Sequence, residues 1–319
     1  MKDRFERNIE YLRISVTDRC NLRCRYCMPE EGIKDKRTHS DMLSLEEIYE
    51  VVKACTNIGI NKVRITGGEP LTRKGVSGLI KNISKLDGIK DIAMTTNGLL
   101  LKEYAKELKE SGLHRVNVSL DTLNEKKYKH ITRFGSLKNV LEGLDEAKKV
   151  GLLPIKINIV LIGGFNDDEI EDFVKLTIDE DIQVRFIELM PIGQATDWAK
   201  ENFIPNTTVL DKFKELKPVP RADKSSPAEY YKLPGAKGLV GLINPISHHF
   251  CGNCNRIRLT ADGKIKPCLN SNQEIDIKKV IKSGGDLEET IRIAIQQKPL
   301  RHYLNEGQSI KRDMMRIGG

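Results

Sequence analysis

Six short apolar segments recur through residue 189, at residues 12–16, 62–66, 91–95, 115–120, 154–161 and 183–189. After each of the first five, apolar residues return every three or four positions, which predicts helices over 45–59, 75–86, 101–111, 137–151 and 167–180. Several of these close at or near glycine, as helices do. A helix over 207–216 completes a sixth unit. Strands alternating with helices of this length predict βαβ units and a parallel sheet.

The strands also carry polar residues: Arg13, Arg64, Thr95, Asn117, Ser119, Lys156, Asn158 and Arg185. A doubly wound sheet buries both faces in aliphatic contacts and has little room for them. A barrel can turn such residues into a lined interior. The expected fold is α/β, a partial (βα)6 TIM-like barrel. From about Lys217 the texture changes, with Pro218, Pro220, Pro227 and Pro234-Gly235 marking a linker or long loop. Beyond it lie a smaller region, a helix over 287–297 and a tail ending in Gly318-Gly319. The expected division is 1–217 and 218–319.

Bulk properties narrow the setting. The chain has 319 residues, 39% of them hydrophobic, and a net charge of +8. No apolar run approaches the roughly 18 residues of a membrane span, and the first residues hold no apolar signal-peptide segment. A cytoplasmic protein with no membrane partner is expected. The positive charges are interleaved with acids along the helices, so charge alone does not separate a nucleic-acid partner from a polyanionic small molecule. Seven cysteines, six of them in two clusters, favour thiols that hold metal over a disulfide framework. Cys55 stands alone on a helical pattern and reads as a buried small hydrophobe.

Cys20-x3-Cys24-x2-Cys27 follows the first strand, with Tyr26 just before the third thiol. A closed structural zinc site takes four ligands, and an electron-carrying iron–sulfur cluster takes four cysteines. Three thiolates on a four-iron cluster leave one iron open to a ligand. Thr66-Gly67-Gly68-Glu69-Pro70 follows the second strand, and glycines there let backbone groups approach a ligand closely. Together these elements resemble the radical S-adenosylmethionine enzymes.

A second group, Cys251-x2-Cys254 followed by Cys268, again supplies three thiols. On spacing alone, structural zinc completed by His248 or His249 remains open. Arg256 and Arg258 flank Ile257 in a β-like run, so both guanidiniums share one face beside the cysteines. Such a pair suits phosphate or another oxyanion, although arginines on an exposed strand would read the same way. The second cysteine run, the Arg-x-Arg pair and the terminal Gly-Gly resemble the GTP 3′,8-cyclase family of molybdenum cofactor biosynthesis. That resemblance covers residues 11–319 and includes Leu12-Arg13-Ile14-Ser15-Val16, Thr95-Thr96-Asn97-Gly98, Asn117-Val118-Ser119-Leu120-Asp121 and Arg185-Phe186-Ile187-Glu188-Leu189-Met190.

The resemblance implies two [4Fe-4S] clusters, one on Cys20, Cys24 and Cys27 and one in the smaller C-terminal domain on Cys251, Cys254 and Cys268. It implies S-adenosylmethionine at Tyr26, Gly68, Ser119 and Met190. It places GTP at Arg13, Arg64, Thr95, Lys156, Arg256, Ile257 and Arg258, with Gly318 and Gly319 entering the active site. Arg13, Arg256 and Arg258 join the first three cysteines and the two glycines as catalytic residues. The implied reaction removes the ribose 3′ hydrogen of GTP and closes a bond to guanine C8. An electron donor, a downstream cyclic pyranopterin monophosphate synthase and a homodimer are implied partners. Two readings compete: a radical enzyme with an auxiliary cluster acting on a peptide or another small molecule, and a basic zinc-bearing nucleic-acid-binding protein. The absence of a nucleic-acid module and the scatter of eight Tyr and eight Phe count against the second.

Overall fold

The alternating pattern of the sequence becomes a sheet with two different faces. The computed structural model describes residues 1–33, 38–221, 223–306 and 310–318. Its first part runs β1 (Tyr11–Ser15), α1 (Leu45–Asn57), β2 (Lys62–Thr66), α2 (Val76–Ile83), β3 (Asp91–Thr96), α3 (Leu101–Glu110), β4 (Arg115–Ser119), α4 (Glu125–Thr132), α5 (Leu137–Lys149), β5 (Lys156–Leu161), α6 (Ile170–Asp179) and β6 (Gln183–Glu188). These six strands pair in parallel in chain order, as the βα alternation predicts.

Along each strand, one set of alternate residues points to the helices. Leu12, Ile14, Val63, Ile65, Val116, Val118, Ile159, Val184 and Phe186 are fully buried there, in one aliphatic core with Ile48, Val52, Leu108 and Phe173. Fully burying such a side chain contributes about 1.5–3 kcal/mol, so this outer face carries the stability. The other set of alternate positions is thereby left for polar residues. Helix starts are set locally. Ser44 accepts from the Glu47 amide at 3.1 Å while Glu47 accepts from the Ser44 amide at 2.7 Å, a reciprocal cap on α1.

The chain continues through α7 (Thr196–Glu201), α8 (Thr207–Lys212), β7 (Lys217–Val219), β8 (Ala228–Lys232), β9 (Leu239–Ile243), β10 (Arg256–Leu259), β11 (Lys264–Lys266), β12 (Ile275–Asp276), α9 (Ile277–Ser283) and α10 (Leu287–Gln296). All strands join a single sheet of order β12-β11-β10-β1-β2-β3-β4-β5-β6-β9-β8-β7. The six-unit partial barrel is thus extended at both edges by C-terminal strands, β10 lying parallel to β1 and β9 parallel to β6. α10 also contributes Ile291, Ala294 and Ile295 to the same core. The proline-bearing segment near 217 is not all loop. Pro218 lies on the edge strand β7, where a missing amide hydrogen is tolerated. Among the described residues no helix is long and apolar enough to cross a membrane.

Candidate active site

Strand register assembles the polar interior. Arg13 on β1 lies opposite Arg64 on β2 and opposite Arg258 on β10, so three guanidiniums stand side by side. Thr95, Asn117 and Lys156 form a row across β3, β4 and β5, and Ser119, Asn158 and Arg185 form the next row. Gly241 on β9 faces Arg185, whose Cγ would lie 3.0 Å from a Cβ there, so a residue without a side chain makes room for it. Burial, and then the charges of Arg258 and Arg64, push the Arg13 guanidinium well below its ordinary value. Burial, and then Arg185, Arg115 and Arg64, bring Lys156 down to about 7. Cations crowded this way are relieved by a polyanion.

The first cysteine loop is fixed by the glycine pair after β2. Gly68 donates to the Thr17 carbonyl at 2.7 Å and Glu69 to the Arg19 carbonyl at 2.8 Å. A Cβ on Gly68 would fall 2.3 Å from the Arg19 carbonyl oxygen, so only glycine fits beside the residue preceding Cys20. Cys27 and Met28 both donate to the Cys24 carbonyl at 2.9 Å, folding the two later thiols into one turn. Asn97 Nδ2 reaches Cys20 Sγ at 3.8 Å. Burial pushes the Cys24 thiol well up and the Cys27 thiol up to about 12. Tyr26 donates to Asp121 at 2.6 Å, and burial raises that carboxyl to about 6.

A hairpin builds the second group. β10 and β11 are antiparallel, with Arg258 opposite Lys266, so Cys254 just before β10 and Cys268 just after β11 come to the same end. Cys254 closes a turn by donating to the Cys251 carbonyl at 3.2 Å. Burial raises the Cys254 thiol, but the charges of Lys298 and Arg256 outweigh it and bring the group down to about 7. Both cysteine groups and the arginines line one cavity of about 360 Å³.

The donor sets and the interior suit the implied groups. Arg64 Nε, Asn117 Oδ1 and Tyr11 OH are buried without a hydrogen-bond partner, and native interiors rarely leave such atoms unmatched. Among the described residues no three Cys, His, Asp or Glu side chains converge as a single-ion site. His248 lines an adjoining depression with Arg221 and Glu229, while His249 borders both spaces.

Residues 14–177 match the Radical SAM superfamily, and residues 182–304 match Molybdenum Cofactor Synthesis C. The GTP 3′,8-cyclase of Peptoclostridium acidaminophilum is 59% identical over 99% of this chain and 98% of its own length. That of Alkaliphilus metalliredigens (strain QYMF) is 58% identical over the whole of both. The chain belongs to the GTP 3′,8-cyclase family. Among solved structures, Streptococcus suis SuiB bound to S-adenosylmethionine matches with a TM-score of 0.64 over 97% of this chain and 77% of that one. At 17% identity, that likeness concerns the fold.

Within this cyclase-family chain, the cavity wall includes all six clustered cysteines, Arg13, Tyr26, Arg64, Gly68, Thr95, Ser119, Met190, Arg256 and Arg258. Ile257 is different. Its side chain points the opposite way from its two neighbours and is fully buried in the aliphatic core, so it cannot reach a ligand in the cavity. Lys156 stands beside Asn117 and lies outside the cavity wall proper. Gly318 is buried, and its carbonyl accepts from Arg13 Nη2 and Arg258 Nη1, each at 3.2 Å. Gly319 lies outside the described residues.

The cavity also takes in residues the sequence reading left without a role. Arg185 is 4% exposed and donates to Asn158 Oδ1 from Nε at 2.9 Å and Nη2 at 2.5 Å. Its place on the polar side of β6 was the available signal. Lys298, His302, Met314 and Met315 come from the C-terminal region, and no strand periodicity pointed to them.

Proposed function

We propose that the chain converts GTP to (8S)-3′,8-cyclo-7,8-dihydroguanosine 5′-triphosphate, with each cysteine group holding a [4Fe-4S] cluster. With S-adenosylmethionine on the first cluster, these groups supply the 5′-deoxyadenosyl radical that takes the ribose 3′ hydrogen. Tyr26, Gly68, Ser119 and Met190 hold the S-adenosylmethionine. The second cysteine group holds the purine.

The observation that carries this reading is the row Arg64–Arg13–Arg258, standing in one cavity wall with both cysteine groups. A triphosphate matches that row in charge, and a secluded cavity strengthens each contact. Lys156 and Arg256 extend the anion site, and Thr95 orients the nucleotide. The main chain at Ile257 continues the arginine strand past the substrate, the side chain serving only the core. The tail at Gly318 closes over the reacting atoms and excludes water.

Functionally, residues 1–217 carry the radical source and residues 218–319 carry the substrate centre and the tail. An external electron donor reduces the first cluster, and a cyclic pyranopterin monophosphate synthase consumes the product. The chain works in the cytoplasm as a homodimer. A test is GTP deuterated at the ribose 3′ position, incubated anaerobically with the reconstituted protein, S-adenosylmethionine and reductant. Deuterium in 5′-deoxyadenosine together with a cyclised nucleotide is expected. 5′-Deoxyadenosine without label or cyclised product would reject the substrate assignment and favour a radical enzyme for another small molecule or a peptide.

A further inference from the structure

We propose that Lys298 is a positioning residue for the second cysteine group. Its fixed positive charge joins the Cys254 and Cys268 segments and favours the more reduced state of the centre they hold. The inference rests on reading Cys251, Cys254 and Cys268 as iron–sulfur ligands.

Lys298 follows the last turn of α10 and is 2% exposed. Its Nζ donates to the Arg256 carbonyl at 2.8 Å and to the Pro267 carbonyl at 2.8 Å. Arg256 lies two residues after Cys254, and Pro267 immediately precedes Cys268. One ammonium thus fastens together the two chain segments that present these thiols. Lys298 also lines the same cavity as Cys251, Cys254 and Cys268.

Among the described residues the hydrogen-bond partners of Lys298 are backbone carbonyls, with no carboxylate among them. A buried ammonium is costly to desolvate unless negative charge lies close by. At this position the negative charge comes from the thiolates, which metal binding requires. Arg7 provides the contrast. It is also buried and donates to the Cys251 carbonyl at 2.9 Å, the Pro299 carbonyl at 2.8 Å and the Leu300 carbonyl at 3.0 Å. Its charge, however, is matched by Asp3 at 2.6 Å. Arg7 therefore holds the loop within a neutral pair, and Lys298 holds it with a charge left for the thiolates to match. Adding an electron to the centre adds negative charge, and a neighbouring cation in a low-dielectric site stabilises that form. Hydrogen bonds and charge at the sulfurs are what set cluster potentials.

The test uses the full chain with Cys20, Cys24 and Cys27 changed to Ser, so that iron loads only the second group. Parent, Lys298→Gln and Lys298→Arg proteins are reconstituted anaerobically, assayed for iron and sulfide, and titrated reductively while electron paramagnetic resonance is recorded. Lys298→Gln keeps hydrogen-bond donors without charge. Its midpoint is expected to move to more negative potential, and Lys298→Arg is expected to return it toward the parent. An unchanged midpoint in iron-loaded Lys298→Gln overturns the inference. If Lys298→Gln fails to hold iron, restored loading in Lys298→Arg upholds the charge, and equal loss in both overturns it. A parent that binds no iron instead removes the iron–sulfur reading of the second group, and this inference falls with it.

Discussion

Arg13 and Arg258 lie opposite one another on adjacent parallel strands, and both donate to the carbonyl of Gly318 at 3.2 Å. The C-terminal tail therefore brings Gly318 onto two of the guanidiniums proposed to hold the substrate. Gly318 reaches them with φ +87, and a Cβ there would fall 2.7 Å from Thr66 Oγ1 and 3.1 Å from Ser15 Cβ. Gly318→Ala combines a strained backbone with a clash, a penalty on the order of 1–3 kcal/mol. The clash displaces the Gly318 carbonyl from Arg13 and Arg258, so the cost falls on activity. A roughly tenfold or greater loss of cyclisation is expected with little change in melting temperature. Steady-state product formation beside thermal unfolding checks this.

The tail is moored upstream. Arg312 donates to both Asp262 carboxylate oxygens at 3.0 and 2.9 Å and to Glu274 Oε2 at 2.7 Å. Arg312→Ala is expected to free the tail, exposing it to limited proteolysis and lowering cyclisation, while S-adenosylmethionine binding is kept. Intact-mass analysis after brief protease treatment reads the release. A tail as resistant as in the wild type would show that the carbonyl contacts at Gly318 suffice.

The two cysteine groups should separate by function. Cys24→Ser is expected to stop S-adenosylmethionine cleavage, because it removes a ligand of the radical source. Cys254→Ser is expected to leave the first group loaded and to weaken GTP binding. Equilibrium binding of GTP and 5′-deoxyadenosine yield in both variants distinguish them. Unchanged GTP affinity and turnover in Cys254→Ser would remove the second group from the substrate site.

With Lys156 extending the anion site as proposed, GTP binding is expected to depend on pH. The Lys156 value of about 7 lies below that of an exposed lysine, through burial and then the charges of Arg185, Arg115 and Arg64. Above about pH 7 the empty site holds a neutral amine, and binding a triphosphate must draw a proton back. GTP affinity is expected to fall as pH rises from about 7 to 9. Lys156→Arg should flatten the dependence, because arginine keeps its charge. Calorimetry in buffers of different ionisation enthalpy reads the proton uptake directly. In stability the sign is opposite. Between about pH 7 and the ordinary lysine value the unfolded chain binds the proton and the folded chain does not. This group therefore makes the fold more stable as pH rises through that window.

Much of this was legible in the strands. Arg13, Arg64, Thr95, Asn117, Lys156 and Arg185 interrupt apolar segments on one side of the period-two alternation, and that side became the interior. Local spacing was enough for the first cysteine loop, because its thiols lie close together in sequence and the loop is entered beside Gly68. Cys268 reaches Cys254 only through the β10–β11 pairing, and sequence distance does not encode that register. The sharing of one sheet by the two regions was likewise hidden. Whether β9 and β10 pair with β6 and β1 or form their own layer depends on long-range edge matching. α4 was missed because its apolar signal is short, with Tyr128 and Ile131 buried among charged residues. The side chain of Ile257 faces the core rather than the cavity, since alternate residues of one strand face opposite ways.

The account stands on two separate three-thiol centres serving one cavity. The most direct measurement is iron and acid-labile sulfide in anaerobically reconstituted wild type, beside a variant with Cys251, Cys254 and Cys268 changed to Ser. About eight irons and eight sulfides per wild-type chain are expected, and about four of each in the variant. The same content of about four in both would contradict the second centre.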